Sequence, residues 1–217
     1  DELLSMIMPS LFSRAPKKET GNKDEPVQVS EQGKLPDVLP ILPLRGVVVY
    51  PNTAVPLTVG QPRSIRLVDE VVGGDKLVGL VAATNPELET PSPADLYRIG
   101  TIATVHRLLR APDGTIRLLV QGMSRFRLGE FVQEEPYLKA RIELAPEQVE
   151  QGLEIDALAR NARDQFQQIA QMLPSFPEEL ARSITSVEDP LQTAYTIANF
   201  QRMDLKDAQE ILTIDSV

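Results

Sequence analysis

Residues 39–60 read LPILPLRGVVVYPNTAVPLTVG, with prolines at 40, 43, 51 and 56 set between short apolar runs and a glycine at the close. Each X-Pro step drives the preceding residue toward β or polyproline geometry and away from helix. Proline also lacks an N–H, which confines it to strand edges, strand ends or bulges. The stretch therefore predicts extended chain broken by bends: a short strand, the run Val47–Tyr50, a turn at Pro51-Asn52, and a second strand through Leu57 and Val59. A helix is excluded. Taken alone, this is the start of a small β-domain with no chemistry of its own.

The downstream pattern extends the β reading. Pro62 suits a first helical turn and Gly73-Gly74 a left-handed stop, with Ile65, Val68 and Val72 on one face, so a helix of about ten residues is expected between them. Lys76–Ala83 (KLVGLVAA) reads as a buried strand, and 84–96 as a polar loop with three prolines. Four strand candidates follow, at 100–110, 115–121, 122–131 and 137–144, with the first two joined by the turn Pro112-Asp113-Gly114. In the last, Leu138, Ala140, Ile142 and Leu144 alternate with Lys139, Arg141 and Glu143, the period-two signature of a half-buried antiparallel strand. Arg117, Arg125 and Arg127 fall on the outer face of this sheet, where they are expected to be solvated.

At Pro146 the period changes from two to between three and four. Ile155, Leu158, Ala162, Phe166, Ile169 and Leu173 predict a long amphipathic helix. Three shorter helices follow: one begun near Ser175 with Leu180, Ile184 and Val187, one at Asp189-Pro190, and one capped by Asp204. The expected fold is α+β. A β-rich lobe over 35–146, with about six mostly antiparallel strands in a partly open barrel plus one helix, precedes an α-helical bundle over 147–217. Residues 1–34 carry too little apolar surface over most of their length to offset the entropy of ordering, and are expected to be a disordered leader or linker.

Composition narrows the function. Hydrophobic residues at 42% and charged residues at 24% are ordinary for a globular protein, and no apolar run reaches the length of a membrane-spanning helix. The absence of cysteine removes disulfides, thiolate chemistry and the commonest zinc sites, and fits a reducing cytosol best. His106, the single histidine, sits in a predicted strand as a packed or surface residue. The net charge of −9 belongs to the last third: 147–217 holds 13 acids against 5 bases, whereas 35–146 balances 12 against 12. A neutral β-lobe with 5% aromatic residues and no tryptophan argues against a nucleic-acid-binding barrel. Phosphate-loop, nucleophile-elbow, zincin and dinucleotide motifs do not occur, and the lysines lie in the leader or at exposed positions. A binding module is expected, with no catalytic residue, no cofactor and no metal.

Several runs in this order carry a family resemblance. LPILPLRGVVVYP with AVPLTVG, the helix from Arg63, LVAATNPE (80–87), DLYRIGTIATV (95–105), the PDGT turn, LLVQGMSRFRL (118–128) and DPLQTAYTIA (189–198) resemble the N-terminal domain of the Lon ATP-dependent proteases. Gly46 departs from the polar residue frequent at its place. The resemblance covers about 35–217 and implies a substrate-recognition region that precedes ATPase and serine–lysine protease modules. It implies unfolded or damaged proteins as partners, self-association as in the hexameric parent, and a bacterial cytoplasmic location. A stand-alone receptor for a small molecule or a protein, built on the same β-lobe, is the alternative. Apolar tips on proline-broken loops suit substrate capture. The candidate contacts are therefore Tyr50, Pro51, Pro56 and Leu57, with Met123 on an expected turn between strands.

Overall fold

The computed structural model describes residues 35–149, 152–172, 186–201 and 203–215, and its elements all belong to the unit Asp37–Val217. Two expectations lie outside the described residues: the leader at 1–34, and most of the helix begun near Ser175. The rest is an α+β fold, as the patterning predicted. Six strands form one mixed sheet: β1 (Val38–Leu44), β2 (Ala54–Val59), β3 (Leu77–Ala82), β4 (Ile99–Arg110), β5 (Ile116–Gln133) and β6 (Lys139–Leu144). Their order is β2-β5-β4-β3-β1-β6, and β6 pairs again with β5, which closes five strands into an irregular ring and leaves β2 at an edge. Only β1 and β3 run parallel.

Ring closure depends on the length of β5. Its 18 residues pair with β2 through 116–121 and with β6 through 126–133. The break expected after Gln121 is absent, so two of the predicted strands are one. In its place is a bulge: Ile102 faces Ser124 and Ala103 faces Gly122, which leaves Met123 as the extra residue. A bulge bends a strand without ending it, and period counting cannot separate that from a turn.

Proline positions follow from the ladder. Pro56 lies on the edge strand β2, and the chain turns at Pro51-Asn52, where Asn52 takes φ +56°. The run Val47–Tyr50 before this turn joins no ladder, and two of its carbonyls are met by side chains. Thr101 Oγ1 donates to Val49 O at 2.6 Å, and Thr53 Oγ1 donates to Tyr50 O at 2.7 Å. At the β4–β5 hairpin, Gly114 takes φ +84°, and Asp113 Oδ1 accepts from the N–H of Thr115 at 2.9 Å. This is the turn that Pro-Asp-Gly predicts.

The helix α1 (Pro62–Gly73) packs its apolar face into the main core with the strands. It buries Ser64, Leu67, Val68 and Val71, a face turned by about one residue from the expected one. Gly73-Gly74 does not form a left-handed stop. Gly74 sits at φ −114°, and the left-handed residue is Lys76 at φ +60°. Leu42, Val55, Leu57, Leu80 and Ile116 meet Leu67 and Val68 in the main core. Each such side chain contributes about 1.5–3 kcal/mol relative to exposure.

Beyond 146 come α2 (Leu153–Met172), α3 (Pro190–Phe200) and α4 (Leu205–Thr213). The carboxylate of Asp189 accepts from Gln192 N at 2.6 Å and so caps α3, with Pro190 in its first turn. Asp204 occupies the N-cap position of α4 without a side-chain capping bond. On α2 the expected stripe is only partly used. Phe166 is buried with Ala159 and Ala170, while Leu158 and Ile169 are exposed. Helices α3 and α4 share a second core with the sheet, in which Tyr195, Ala198 and Leu212 pack with Val48, Tyr50, Ala82 and Ile99.

Of the described glycines, Gly122 is the most closely enclosed. A Cβ there would stand 2.2 Å from Tyr50 O, against backbone that cannot yield. Gly122→Ala is expected to lower the melting temperature severely, by the equivalent of several kcal/mol. Gly73→Ala, in the last turn of α1 with open space around it, should raise stability by up to about 1 kcal/mol. Thermal denaturation of the two variants checks the contrast.

Candidate functional site

Among the described residues, two clefts bear on function. The larger, about 510 Å³, lies between the C-terminal ends of β1 and β2 and the loop 86–91, with Pro43, Leu44, Val47, Leu57 and Pro91 in its lining and Arg45 and Glu89 at hand. The smaller, about 200 Å³, lies where the β5 bulge meets the start of α3. Pro51, Met123, Leu144 and Leu191 supply its apolar surface, and Asn52, Glu147, Asp189 and Gln192 its polar surface.

The bulge positions Met123. Displaced from the ladder, its side chain is 41% exposed, and Thr104 Oγ1 lies 3.0 Å from its Sδ as a donor. Leu144 beside it is 52% exposed, which corrects the inward place its alternation predicted. Ala140 is buried as expected and Ile142 half-buried, so β6 emerges from the core along its length.

The sequence candidates separate into two groups. Pro56 and Met123 reach solvent; Tyr50, Pro51 and Leu57 are buried. The expectation that proline-broken loops hold Tyr50 and Leu57 at the surface is therefore corrected. Leu57 is 7% exposed because β2 alternates, turning Val55, Leu57 and Val59 into the core and Pro56 and Thr58 outward. Pro51 and Met123 meet in the smaller cleft, while Leu57 forms part of the floor of the larger. Pro56 lines neither.

Tyr50 is a joint between sheet and helices. Its ring stacks on Tyr195 at 5.2 Å between centroids and 19° between planes, and its hydroxyl donates to Ala208 O at 2.9 Å. Tyr195 in turn donates to Glu147 Oε1 at 2.7 Å. Burial pushes the Tyr50 hydroxyl up to about 12, and burial followed by the Glu147 carboxylate pushes Tyr195 up as well.

Arg125 was missed. Strand parity correctly sets it on the outer face, opposite Phe126 and Leu128, but that face is covered and Arg125 is 1% exposed. Its Nε donates to Ala145 O at 2.7 Å, Nη1 to Leu212 O at 2.9 Å and Ile214 O at 2.7 Å, and Nη2 to Asp215 Oδ1 at 2.7 Å. Glu147 Oε1 stands 3.7 Å from Nε. Arg117 and Arg127 remain outward and exposed, so the three arginines do not form one basic face. His106, also exposed, sits at the second irregularity of the β4–β5 ladder. No sequence signal announces that helices cover the outer face at Arg125.

The fold and its clefts thus define an α+β module with one mixed and one mainly apolar recess open to solvent. The family model for the ATP-dependent protease La (LON) substrate-binding domain matches residues 38–217, and the chain belongs to that family. Among curated relatives, Lon protease of Dictyoglomus thermophilum is 44% identical over 189 residues, covering 87% of this chain and 24% of the relative. Lon protease 1 of Herpetosiphon aurantiacus is 41% identical over 195 residues, covering 88% and 24%. The chain therefore spans about a quarter of the relatives it matches. The solved N-terminal domain of Lon protease from the Mycobacterium avium complex shares the fold, with a TM-score of 0.66 at 19% identity, covering 82% of this chain and 91% of that one.

The tyrosine joint has a pH signature. An unfolded tyrosine titrates near 10 and Tyr50 near 12, so below 10 both states hold the proton and the stability is intact. Between 10 and 12 the unfolded state releases its proton first, and stability falls as pH rises. Tyr50→Phe is expected to lose about 1 kcal/mol near neutrality with the bond to Ala208, and to flatten the decline in this window. Urea denaturation at a series of pH values measures both effects.

Proposed function

We propose that this chain is the non-catalytic substrate-recognition region of a Lon-type ATP-dependent protease in the bacterial cytoplasm, where it captures unfolded or damaged proteins for degradation by the full-length enzyme. The observation that supports this most directly is the substrate-binding family match across 38–217, together with relatives of which the chain forms a quarter. On this reading, ATP hydrolysis and peptide cleavage belong to the remainder of such a protease, and this region supplies affinity.

The smaller cleft suits the task physically. An unfolded client exposes apolar side chains, and removing them from water contributes roughly 25 cal/mol per Å². A recess of about 200 Å³ holds little more than one large side chain, which makes single-site capture weak. Self-association of the parent as a hexamer would place several copies around one entrance and raise effective affinity without any stronger contact. Weak sites of this kind release a client as readily as they hold it. Met123 and Leu144 are the contacts assigned to the side chain of the client. Pro51 and Leu191 form the wall behind them, and Tyr50 supports the wall from the core.

Met123→Asp and Leu144→Asp combined should reduce binding of a reduced, carboxymethylated model protein at least several-fold by fluorescence anisotropy. Both positions are exposed, so the melting temperature should stay within the change typical of surface substitutions, about 0.5 kcal/mol each. Undiminished binding by the folded double variant would remove the smaller cleft from the reading.

A further inference from the structure

Among the described residues β2 is paired on one side only, by β5, and its other edge borders the larger cleft. The ladder fixes which main-chain groups face that edge. Gly122 N–H donates to Thr53 O at 2.9 Å, and Gly122 O accepts from Asn52 N–H at 3.1 Å, so both main-chain groups of Gly122 point to the β2 side of β5. Antiparallel positions alternate, so Val55, Leu57 and Val59 turn their N–H and C=O groups toward β5. Ala54, Pro56 and Thr58 turn theirs away. Pro56 agrees with this assignment, since it occupies a place that gives no ladder donor.

The same reasoning applies to β1. Ala83 N–H donates to Leu44 O, and Ile41 N–H donates to Leu138 O, both at 2.8 Å, on opposite sides of the strand. Leu42 and Leu44 therefore face β3, and Pro43 faces away from it. The pairing of β1 with β6 ends at Pro40, so the outer edge at Pro43 meets no strand among the described residues. Among the described residues, two unpaired edges thus flank one cleft, each with a proline turned outward.

We infer that this cleft takes a short extended segment of an unfolded polypeptide, joined through its main chain to the β2 edge at Thr58. The inference rests on the substrate-capture reading and names the part of the client that this cleft recognises. Thr58 offers an N–H and a C=O, and Pro43 and Pro56 offer carbonyls only. Arg45 and Glu89 carry opposed charges and the other lining residues carry none, so no client charge is favoured. Free main-chain donors and acceptors are what every unfolded segment carries and what a folded protein has already used. Strand addition therefore separates unfolded from folded clients without reading sequence. The two prolines each remove a donor from the edge, which limits pairing to a short stretch and stops a client from extending the sheet.

The test uses the full chain and a fluorescent decapeptide of alternating Val and Thr, with a second version N-methylated at alternate amides. Thr58→Pro removes the outward N–H and leaves the β5 ladder intact, at a position of the same parity as Pro56. Thr58→Pro and N-methylation should each weaken binding by about tenfold, whereas Thr58→Ala should leave it unchanged. If Thr58→Pro fails to fold, the N-methylated peptide on the unaltered chain decides alone. Equal binding of both peptides, or equal binding by folded Thr58→Pro, overturns strand addition and leaves side-chain capture standing. Failure to bind either the peptide or a reduced, carboxymethylated protein overturns the capture reading itself. A dimer in sedimentation that Thr58→Pro dissolves assigns the edge to a second copy and also overturns the proposal.

Discussion

A single guanidinium, Arg125, holds the helical part of this molecule against its sheet. The last carbonyls of a helix have no partner within the helix and carry the negative end of its dipole. At the end of α4 those carbonyls are Leu212 O and Ile214 O, and Arg125 binds both from the outer face of β5. The same side chain takes Ala145 O, where the chain leaves β6 for the helices. One planar donor set thereby fixes the two points between which the helical segment runs. The Asp215 carboxylate adds charge, but at 71% exposure it is screened and contributes little. The carbonyls matter more, because a buried cation without them would cost about 3–5 kcal/mol.

The other contacts across this junction are arranged around that clamp. Tyr50 reaches Ala208 O, Gln209 Nε2 reaches Ile99 O at 3.0 Å, and Gln148 N–H reaches Asp215 O at 2.8 Å. Apolar burial by Leu212, Ala198 and Tyr195 supplies area, and these polar contacts supply register. The smaller cleft is a by-product of the same junction, since Met123 and Leu144 on the sheet and Leu191 on α3 bound it only when α3 and α4 are docked.

Most of the sheet was legible because strands announce themselves by period and by turn chemistry. The prolines of 39–60, the Asp113-Gly114 hairpin and the apolar run of β3 each place an element by local rules. What failed was non-local. A bulge and a turn both interrupt alternation, so the pattern at Met123 predicts a turn where the strand runs on. Arg125 was set on the correct face, but sequence parity says nothing about which elements cover a face. Flanking prolines predict Tyr50 and Leu57 at the surface, yet a proline governs the backbone and not the side to which its neighbour points. On α2 the stripe through Leu158 and Ile169 is real in the sequence and largely uncovered among the described residues.

The prolines of the opening stretch acquire a sharper meaning from this geometry. Pro43 and Pro56 stand at positions that give up no ladder bond, so they break no pairing among the described residues. The clamp at Arg125 remains the claim on which the architecture depends. Hydrogen exchange of Arg125→Met against the unaltered chain tests it most directly. The account predicts that amides of α4 and Gln148 lose protection while those of β3 and β4 keep theirs. Full protection of α4 in the folded variant would contradict it.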